Sequence, residues 1–306
     1  MSEVELTRPA EMPATGASYA PDDLRELQQI ARRVRADIVR SVAHAGGGHI
    51  GGPLSATDML VALYFRVMNV RPDDPRWEDR DRFVLSKGHS SIGLYSVMAA
   101  RGYFPRDELM TFDQIGSRLQ GHPEMNELPG VDMSTGSLGQ GISAAVGMAM
   151  GAKLLGKNGI RVYCMVGDGE CQEGSVWEAA FVAERYRLDN LVVLVDFNKL
   201  QQWGWPAEAT GQRLSPWSSE RLPGIWRAFG WHVAEVDGHD FSQILDALYE
   251  AGARVGSGVP TCIVAHTVKG KGVSFMENSF AWHAKVPNST EADAALEELE
   301  GGEVHA

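Results

Sequence analysis

Apolar positions along the chain follow two patterns, one with helical spacing and one in short continuous runs. Leu24, Leu27, Val34 and Ile38 are spaced as on one face of a helix that begins at Pro21. The continuous runs predict buried strands at residues 83–85, 161–166, 191–197, 232–236 and 261–267. The segments between them predict helices at residues 55–68, 90–100, 137 onward, 175–187 and 241–253. Strands that alternate with helices predict an α/β fold with an open, mostly parallel sheet and helices on both faces.

The two ends of the chain differ in composition from its middle. Residues 1–20 contain Pro, Ala, Ser and Gly without periodicity and predict a flexible arm. Residues 289–306 form an acidic tail, which we expect to be disordered or loosely helical. Between them, residues 21–288 contain no internal repeat and no linker, so we expect a single domain there.

Composition narrows the classes of function. The net charge of −12 over 306 residues argues against a nucleic-acid partner, because binding to phosphate backbones requires clustered Lys and Arg. Cys164, Cys171 and Cys262 are scattered and odd in number, as expected for reduced thiols. The N-terminus is acidic without an apolar signal core, and no apolar run has the length of a membrane helix. We therefore expect a cytoplasmic protein that does not act at a membrane.

Two polar clusters follow the neighbouring apolar runs at 161–166 and 191–197. Gly167-Asp168-Gly169 comes after the first run, and Asn198 comes after the second. In an open parallel sheet, ligands bind at the carboxyl ends of the strands. Glycines allow a tight turn there, and the oxygens of Asp168 and Asn198 suit Mg²⁺, which keeps phosphate ligands beside a few protein groups. The clusters predict a diphosphate held through magnesium, although Gly-Asp-Gly is also a common turn sequence.

Several histidines stand in short segments beside Gly or polar residues. These are His49, His89, His122, His266 and His283. One histidine in a loop is usually solvated or structural, but several beside predicted strand and helix ends indicate a site. A neutral histidine can donate a hydrogen bond, and histidine can also transfer protons near pH 7. A zinc site is the alternative, but the spacings match no compact zinc signature. The segment 269–272, Lys-Gly-Lys-Gly, is either a phosphate-contacting loop or a solvated turn.

Taken together, these segments resemble the N-terminal, diphosphate-binding half of transketolase. The match runs in order from about residue 24 to residue 287. Its segments are Gly-Gly-His49, Leu-Ser-Lys-Gly-His89, Gly-His122-Pro-Glu, Thr-Gly136-Ser-Leu-Gly-Gln-Gly141, Gly-Asp168-Gly-Glu-Cys-Gln-Glu173-Gly, Asn198-Lys-Leu-Gln, Lys-Gly-Lys-Gly and Trp-His283. As in the thiamine diphosphate fingerprint of that family, 28 residues (170–197) separate Gly-Asp-Gly from Asn198. The resemblance implies thiamine diphosphate and Mg²⁺ as cofactors.

The resemblance also implies a role for each matching residue. Asp168, Asn198 and the main-chain carbonyl of Leu200 would bind Mg²⁺. A larger group would contact the cofactor itself: His89 and His283 at its diphosphate, Gly136, Ser137 and Leu138 at its ring, and Gly167, Gly169, Glu170 and Asn198 in the diphosphate-binding loops. The expected catalytic residues line the substrate channel or couple the site to a partner subunit: His49, His122, His283 and Glu173. Glu178 is either a second coupling carboxylate or an ordinary solvated helix residue.

In this family the catalytic glutamate, the aromatic pocket for the cofactor ring and the arginines that bind sugar phosphates belong to a second domain. The resemblance therefore implies a split transketolase, in which this chain acts on sugar phosphates only together with a separate C-terminal subunit. A heterotetramer with two copies of each chain is expected. Trp203 and Trp205 depart from the family sequence after Asn198, which leaves the sugar substrate open.

Three alternatives to an ordinary transketolase stay open. The first is a specialised transketolase that acts on an unusual sugar. The second is another thiamine-dependent enzyme, such as deoxyxylulose phosphate synthase or the alpha chain of a 2-oxo-acid dehydrogenase, although the segments around His89 and His122 favour transketolase. The third is a non-catalytic paralogue, against which the intact Asp168, Asn198 and histidine positions argue.

Overall fold

A computed structural model describes residues 19–202 and 215–301 of the chain. Five parallel strands form one sheet in the order β1-β2-β3-β5-β4. They are β1 (Arg82–Leu85), β2 (Val162–Gly167), β3 (Leu191–Phe197), β4 (His232–Asp237) and β5 (Thr261–His266). The predicted α/β fold with an open parallel sheet is therefore confirmed. Most of the expected N-terminal arm, and the departure at Trp203 and Trp205, lie outside the described residues.

Helices cover both faces of this sheet. The first core lies between one face and α1 (Pro21–Ala45), α2 (Gly51–Ala62), α3 (Ser91–Arg101), α7 (Phe241–Ala253) and α8 (Ser289–Gly301). The second core lies between the other face and α4 (Gly141–Leu154), α5 (Gly174–Arg185) and α6 (Arg221–Ala228). Successive strand residues alternate between the two, since Tyr163 and Met165 join the first core and Cys164 and Val166 the second. Because both faces are buried, the strands appear in the sequence as continuous apolar runs.

Two helices begin four residues away from the start that the sequence pattern predicts. Helix α4 begins at Gly141 instead of Ser137, because Gly139 has a φ of +81°, outside the range of a right-handed helix. Helix α2 begins at Gly51, before the expected start at Ser55, and continues as a wider turn over Leu63–Val67. In the described part of the chain, none of the helices is both long and apolar enough to cross a membrane.

The acidic segment after Asn288 forms a helix that belongs to the packed domain. Helix α8 packs against α1, and its Ala292, Ala295 and Leu299 are buried in the first core. These apolar residues share one face of the helix, while the acidic residues occupy the others. Up to Gly301 the segment therefore differs from the loose tail expected from its composition. Residues 302–306 lie outside the described residues.

The register of the strands brings the candidate residues to one edge of the sheet. Gly167 at the end of β2 lies opposite Asp196 of β3. Phe197 at the end of β3 lies opposite His266 of β5. Since all the strands are parallel, the loops that carry Asp168 and Asn198 leave the sheet at the same edge, together with the loop after β5.

Candidate active site

A cleft of about 450 Å³ opens at the carboxyl edge of the sheet. Its wall contains most of the residues that the sequence singled out: His49, His89, His122, Gly136, Leu138, Gly167, Asp168, Gly169, Glu170, Glu173, Asn198, Leu200 and His283. Ser137 lines an adjoining groove, which shares His122 and Gly136 with the cleft. The fold thus assembles at one place segments that lie far apart in the sequence.

Asp168 is the most deeply buried carboxylate of the cleft wall, with 1% of its surface exposed. Among the described residues its Oδ2 atom has no hydrogen-bond partner, although buried polar atoms ordinarily have one. Burial raises the pKa of Asp168 to about 6; the Ser215 hydroxyl offsets part of this effect, and the Asp196 carboxylate adds to it. A buried carboxylate oxygen of this kind fits a divalent cation, whose charge would favour the ionised form.

The other two expected metal ligands also offer oxygen atoms to the cleft. Asn198 Oδ1 accepts a hydrogen bond from the Leu200 amide at 3.2 Å, and Asn198 Nδ2 donates to Asp196 at 3.2 Å. These bonds fix which end of the amide is the oxygen and leave Oδ1 a second lone pair. The Leu200 carbonyl accepts one long hydrogen bond, of 3.4 Å, from Lys269. A carboxylate, an amide oxygen and a carbonyl form a donor set that suits Mg²⁺.

Lys87 and Asp196, to which the sequence pattern assigned no role, form a buried ion pair next to these ligands. The Asp196 carboxylate also accepts hydrogen bonds from Ser55, Thr267 and Asn198. Burial alone would raise the pKa of Asp196, but the Lys87 ammonium outweighs this effect and leaves the pKa below its usual range. The pair therefore ties α2 to the loops after β1, β3 and β5. An aspartate inside an otherwise apolar strand was the signal that could have revealed it.

Three imidazoles, those of His49, His89 and His283, face one another in the cleft wall. Their ring centroids are 5.0 Å, 5.3 Å and 5.2 Å apart. Burial lowers the pKa of His49 to about 4 and that of His283 to about 2, and it lowers the pKa of His89 well below its usual range. All three are therefore neutral near pH 7 and act as hydrogen-bonding groups. No three His, Cys, Asp or Glu side chains in residues 19–202 and 215–301 are arranged to hold a metal ion, so these residues form no zinc site.

Lys269 of the Lys-Gly-Lys-Gly segment adds a positive charge to the cleft wall. Its side chain is 2% exposed, and its ammonium donates to the Leu200 carbonyl. Burial lowers the pKa of Lys269 to about 8, so the group is still mostly charged at pH 7. Lys271 instead pairs with Glu277 at 3.8 Å, at the surface. A buried ammonium beside the oxygens that are expected to bind a metal fits an anionic group in the cleft.

The three glutamates predicted near the site lie in different environments. Glu170 is buried and accepts hydrogen bonds from the amides of Gly139 at 2.8 Å and Gly167 at 3.0 Å. Both of its oxygens are therefore used within the protein, where they fix the turn that carries Asp168. Glu173 is exposed and lines the cleft, whereas Glu178 is exposed on α5 and does not.

His266 lies apart from the other histidines. It does not line the cleft, and its Nε2 atom is 3.3 Å from a carboxylate oxygen of Glu235 on the neighbouring strand β4. This position fits a structural role for His266 and not a role in the cleft.

Trp217 is a further contact of the Asp168 loop that the sequence analysis missed. Its Nε1 atom donates a hydrogen bond of 2.8 Å to the main-chain carbonyl of Asp168. The Trp217 ring also packs edge-on against Trp177 of α5, with centroids 6.2 Å apart. Trp177 makes a similar bond of 3.0 Å to the carbonyl of Cys171. Two tryptophans thus hold the backbone of the segment that follows β2.

Known proteins with similar sequences include subunits of about the same length. A family model described as "Transketolase, thiamine diphosphate binding domain" matches residues 26–299. The 6-deoxy-6-sulfo-D-fructose transketolase subunit SqwG of Clostridium sp. (strain MSTE9) is 42% identical over 275 residues, which cover 90% of this chain and 96% of that subunit. An apulose-4-phosphate transketolase subunit of Actinobacillus succinogenes is 41% identical over 275 residues, with the same coverage of 90% and 96%.

Longer transketolases match over part of their length. Human transketolase is 39% identical over 285 residues, which cover 92% of this chain and 44% of the human protein. The crystal structure of Campylobacter jejuni transketolase superimposes with a TM-score of 0.79 at 33% identity, covering 92% of this chain and 43% of that one. This chain thus spans less than half the length of these two proteins. The predicted family is confirmed: the chain belongs to the transketolase family and contains its thiamine diphosphate-binding domain.

Proposed function

We propose that this chain is the cofactor-binding, N-terminal subunit of a two-chain transketolase, which transfers a two-carbon ketol unit from a ketose to an aldose. The proposal rests on one observation: oxygen atoms of the kind that bind Mg²⁺ lie in the same cleft as a buried ammonium group. Asp168 offers an oxygen that has no partner within residues 19–202 and 215–301, and Lys269 places its charge beside the Leu200 carbonyl. This combination fits a divalent metal and the diphosphate that the metal would hold.

Each group in the cleft then has a task toward the cofactor. Asp168, Asn198 and the Leu200 carbonyl would hold Mg²⁺, while His89, His283 and Lys269 would contact the diphosphate. Gly167 and Gly169 would let the backbone approach it, and Gly136, Ser137 and Leu138 would contact the ring. When bound, thiamine diphosphate supplies the carbanion chemistry that breaks and forms the carbon–carbon bond. The chain orients the cofactor and balances its charge.

The substrate side of the cleft is assigned to His49, His122 and His283, with Glu173 as the fourth catalytic residue. Burial keeps His49 and His283 neutral near pH 7 because it holds the pKa of each below the ordinary value. A neutral imidazole donates one hydrogen bond and accepts another, which suits sugar hydroxyls and the transfer of protons between them.

A separate C-terminal subunit would complete the site, in a heterotetramer with two copies of each chain. Leu154 on α4 and Phe181 on α5 support this arrangement, because they are 81% and 59% exposed. Large apolar side chains that are exposed on two helices packed against each other fit a docking face for another protein. Glu173 and Glu178 would then couple the cleft to this partner. A cytoplasmic location is also proposed, and the three buried free thiols support it.

A specialised sugar substrate is the second candidate. The two relatives at 42% and 41% identity are named for 6-deoxy-6-sulfo-D-fructose and for apulose 4-phosphate. A sulfonated or branched ketose is therefore a candidate donor beside the common sugar phosphates.

The proposal is tested with the chain purified alone and together with a C-terminal transketolase subunit. Ketol transfer is measured with fructose 6-phosphate or its sulfonated analogue as donor and an aldose phosphate as acceptor, with thiamine diphosphate and Mg²⁺. We expect transfer only from the mixture. Activity of the isolated chain would contradict the two-chain arrangement, and failure of the mixture to bind the cofactor would contradict the proposed function.

A further inference from the structure

His239 lies in the loop after β4 and joins two other segments through its two ring nitrogens. Nδ1 lies 2.7 Å from the Asp58 carboxylate, and Nε2 lies 2.9 Å from the Val268 amide. The Val268 N–H can only donate, so Nε2 must accept and the ring proton must be on Nδ1, facing Asp58. The side chain is 12% exposed. The imidazole is therefore held as a single neutral tautomer with both nitrogens used.

Asp58 is itself held in a fixed orientation by helix α1. The Arg35 guanidinium donates two hydrogen bonds to its carboxylate, at 3.0 Å and 2.5 Å, and a third to the Leu54 carbonyl at 3.2 Å. Arg35 and Asp58 are both buried. A bidentate pair of this kind defines the direction as well as the distance of the carboxylate. Helices α1 and α2 thus determine where the His239 ring lies.

The other end of this chain of hydrogen bonds reaches the cleft. Val268 directly precedes Lys269, whose ammonium makes one long bond of 3.4 Å to the Leu200 carbonyl. The backbone is held by a hydrogen bond on either side of Lys269. Before it, the Val268 amide donates to His239, and after it, the Gly270 amide donates to the Gly51 carbonyl at 3.1 Å. Because the polar contact of the ammonium is weak, the ammonium depends for its position on the backbone of the segment as well as on the packing of the buried side chain.

We propose that His239 is a positioning residue for the diphosphate site, because it holds the Val268 amide and thereby fixes the Lys269 ammonium in the cleft. The inference rests on the proposed function, in which Lys269 faces the diphosphate of the cofactor. His239 does not line the cleft, so it acts through Lys269 and not by touching the cofactor.

Two substitutions separate the two hydrogen bonds of the ring. In His239→Asn, the amide nitrogen lies near the place of Nδ1, so the bond to Asp58 is kept and the acceptor for Val268 is lost. In His239→Gln, the amide oxygen lies near the place of Nε2, so the acceptor for Val268 is kept.

We measure the Kd of thiamine diphosphate with Mg²⁺ by calorimetry, for the full chain with its C-terminal subunit. The Asn variant should bind about tenfold more weakly, as for the loss of one buried hydrogen bond, and the Gln variant within about threefold of the wild type.

A double-mutant cycle tests whether the effect passes through Lys269. Lys269→Met removes the ammonium and keeps the length of the side chain, so adding His239→Asn should change the Kd by less than about twofold. An equal loss in both backgrounds, or wild-type affinity of the Asn variant, would overturn the inference. Thermal unfolding without cofactor is the control. If His239 had a purely structural role, His239→Asn and His239→Gln would both lower the unfolding midpoint and would have similar Kd values. A wild-type complex that binds no thiamine diphosphate would instead overturn the proposed function.

Discussion

Asp168 combines deep burial, a neighbouring carboxylate and an oxygen that is unpartnered among the residues the structure describes. The pKa of Asp168 is raised from 3.8 to about 6, so its carboxylate binds a proton more tightly in the folded protein than in the unfolded chain. Below pH 3.8 the group is protonated in both states and does not affect folding. As the pH rises from 3.8 to about 6 it increasingly opposes folding, and above pH 6 the loss of stability is complete. A bound cation would remove this loss.

Replacing Asp168 by Asn should therefore stabilise the metal-free protein while abolishing its response to Mg²⁺. We expect the free energy of unfolding near pH 7.5 to rise by about 1–3 kcal/mol, and the gain to shrink toward about pH 4.5. Urea unfolding in the presence of a chelator measures both values. Asp196→Asn is the control and should destabilise the protein, because it leaves the buried Lys87 ammonium unpaired. A metal-free Asp168→Asn protein less stable than the wild type would contradict the prediction.

At the scale of single residues, the sequence predicted the parts of the cleft that stand next to glycines at strand ends. Asp168 has this signature in full, whereas His49, His89 and His122 only stand next to glycines and Asn198 only follows the end of β3. Lys87 also stands next to a glycine after β1, but its pairing with Asp196 could not be predicted, because the two lie on different segments and only folding brings them together. Glu170 lines the cleft as predicted for a cofactor contact, but the sequence did not reveal that its oxygens accept hydrogen bonds from the Gly139 and Gly167 amides.

Among the structural elements, the segment 215–217 supports the Asp168 loop from outside the sheet. Ser215 donates its amide hydrogen to the Lys199 carbonyl at 2.8 Å, and Trp217 donates to the Asp168 carbonyl at 2.8 Å. One short segment thus contacts the loops after both β2 and β3. The segment therefore supports the two loops that carry the predicted metal ligands beyond the aligned ends of the strands.

Trp217→Phe removes this hydrogen bond and keeps most of the aromatic packing. We expect the affinity for thiamine diphosphate at limiting Mg²⁺ to fall about three- to tenfold, as for the loss of one hydrogen bond. Trp177→Phe is a matched control, since it removes a bond of 3.0 Å to the Cys171 carbonyl, which holds no expected ligand. Titration with Mg²⁺ at constant cofactor concentration gives both values. Equal effects of the two substitutions would argue against a specific role of Trp217.

The strands were easier to predict than the helices. Each strand lies within about two residues of its apolar run, because burial on both faces leaves a continuous signal in the sequence. The start of α4 was missed because the positive φ of Gly139 depends on its tertiary surroundings. The burial of α8 was missed because acidic residues dominate its composition, and its narrow apolar face becomes recognisable only when α1 is there to cover it.

At the scale of the whole molecule, a substitution that introduces one charged side chain tests the proposed docking face on α4 and α5. Phe181→Glu should weaken assembly with the C-terminal subunit at least about tenfold, because a carboxylate in an apolar contact is costly to desolvate. The stability of the chain itself should change by less than about 0.5 kcal/mol, since Phe181 is 59% exposed. Sedimentation of the mixed chains measures assembly. Val255→Glu, after α7 and near the other face of the sheet, is the control; equal effects of the two substitutions would place the contact elsewhere.

The pairing of Gly167 with Asp196 has a consequence for how this domain tolerates change in length. The sheet, and not the chain between them, sets the separation of Asp168 and Asn198. Residues added or removed between the end of α5 and the start of β3 would leave both side chains in place. One residue added inside β3 would turn Asp196 to the other face, away from Lys87, and displace Asn198 from the cleft. We therefore expect the connection between α5 and β3 to tolerate changes in length that the two central strands do not.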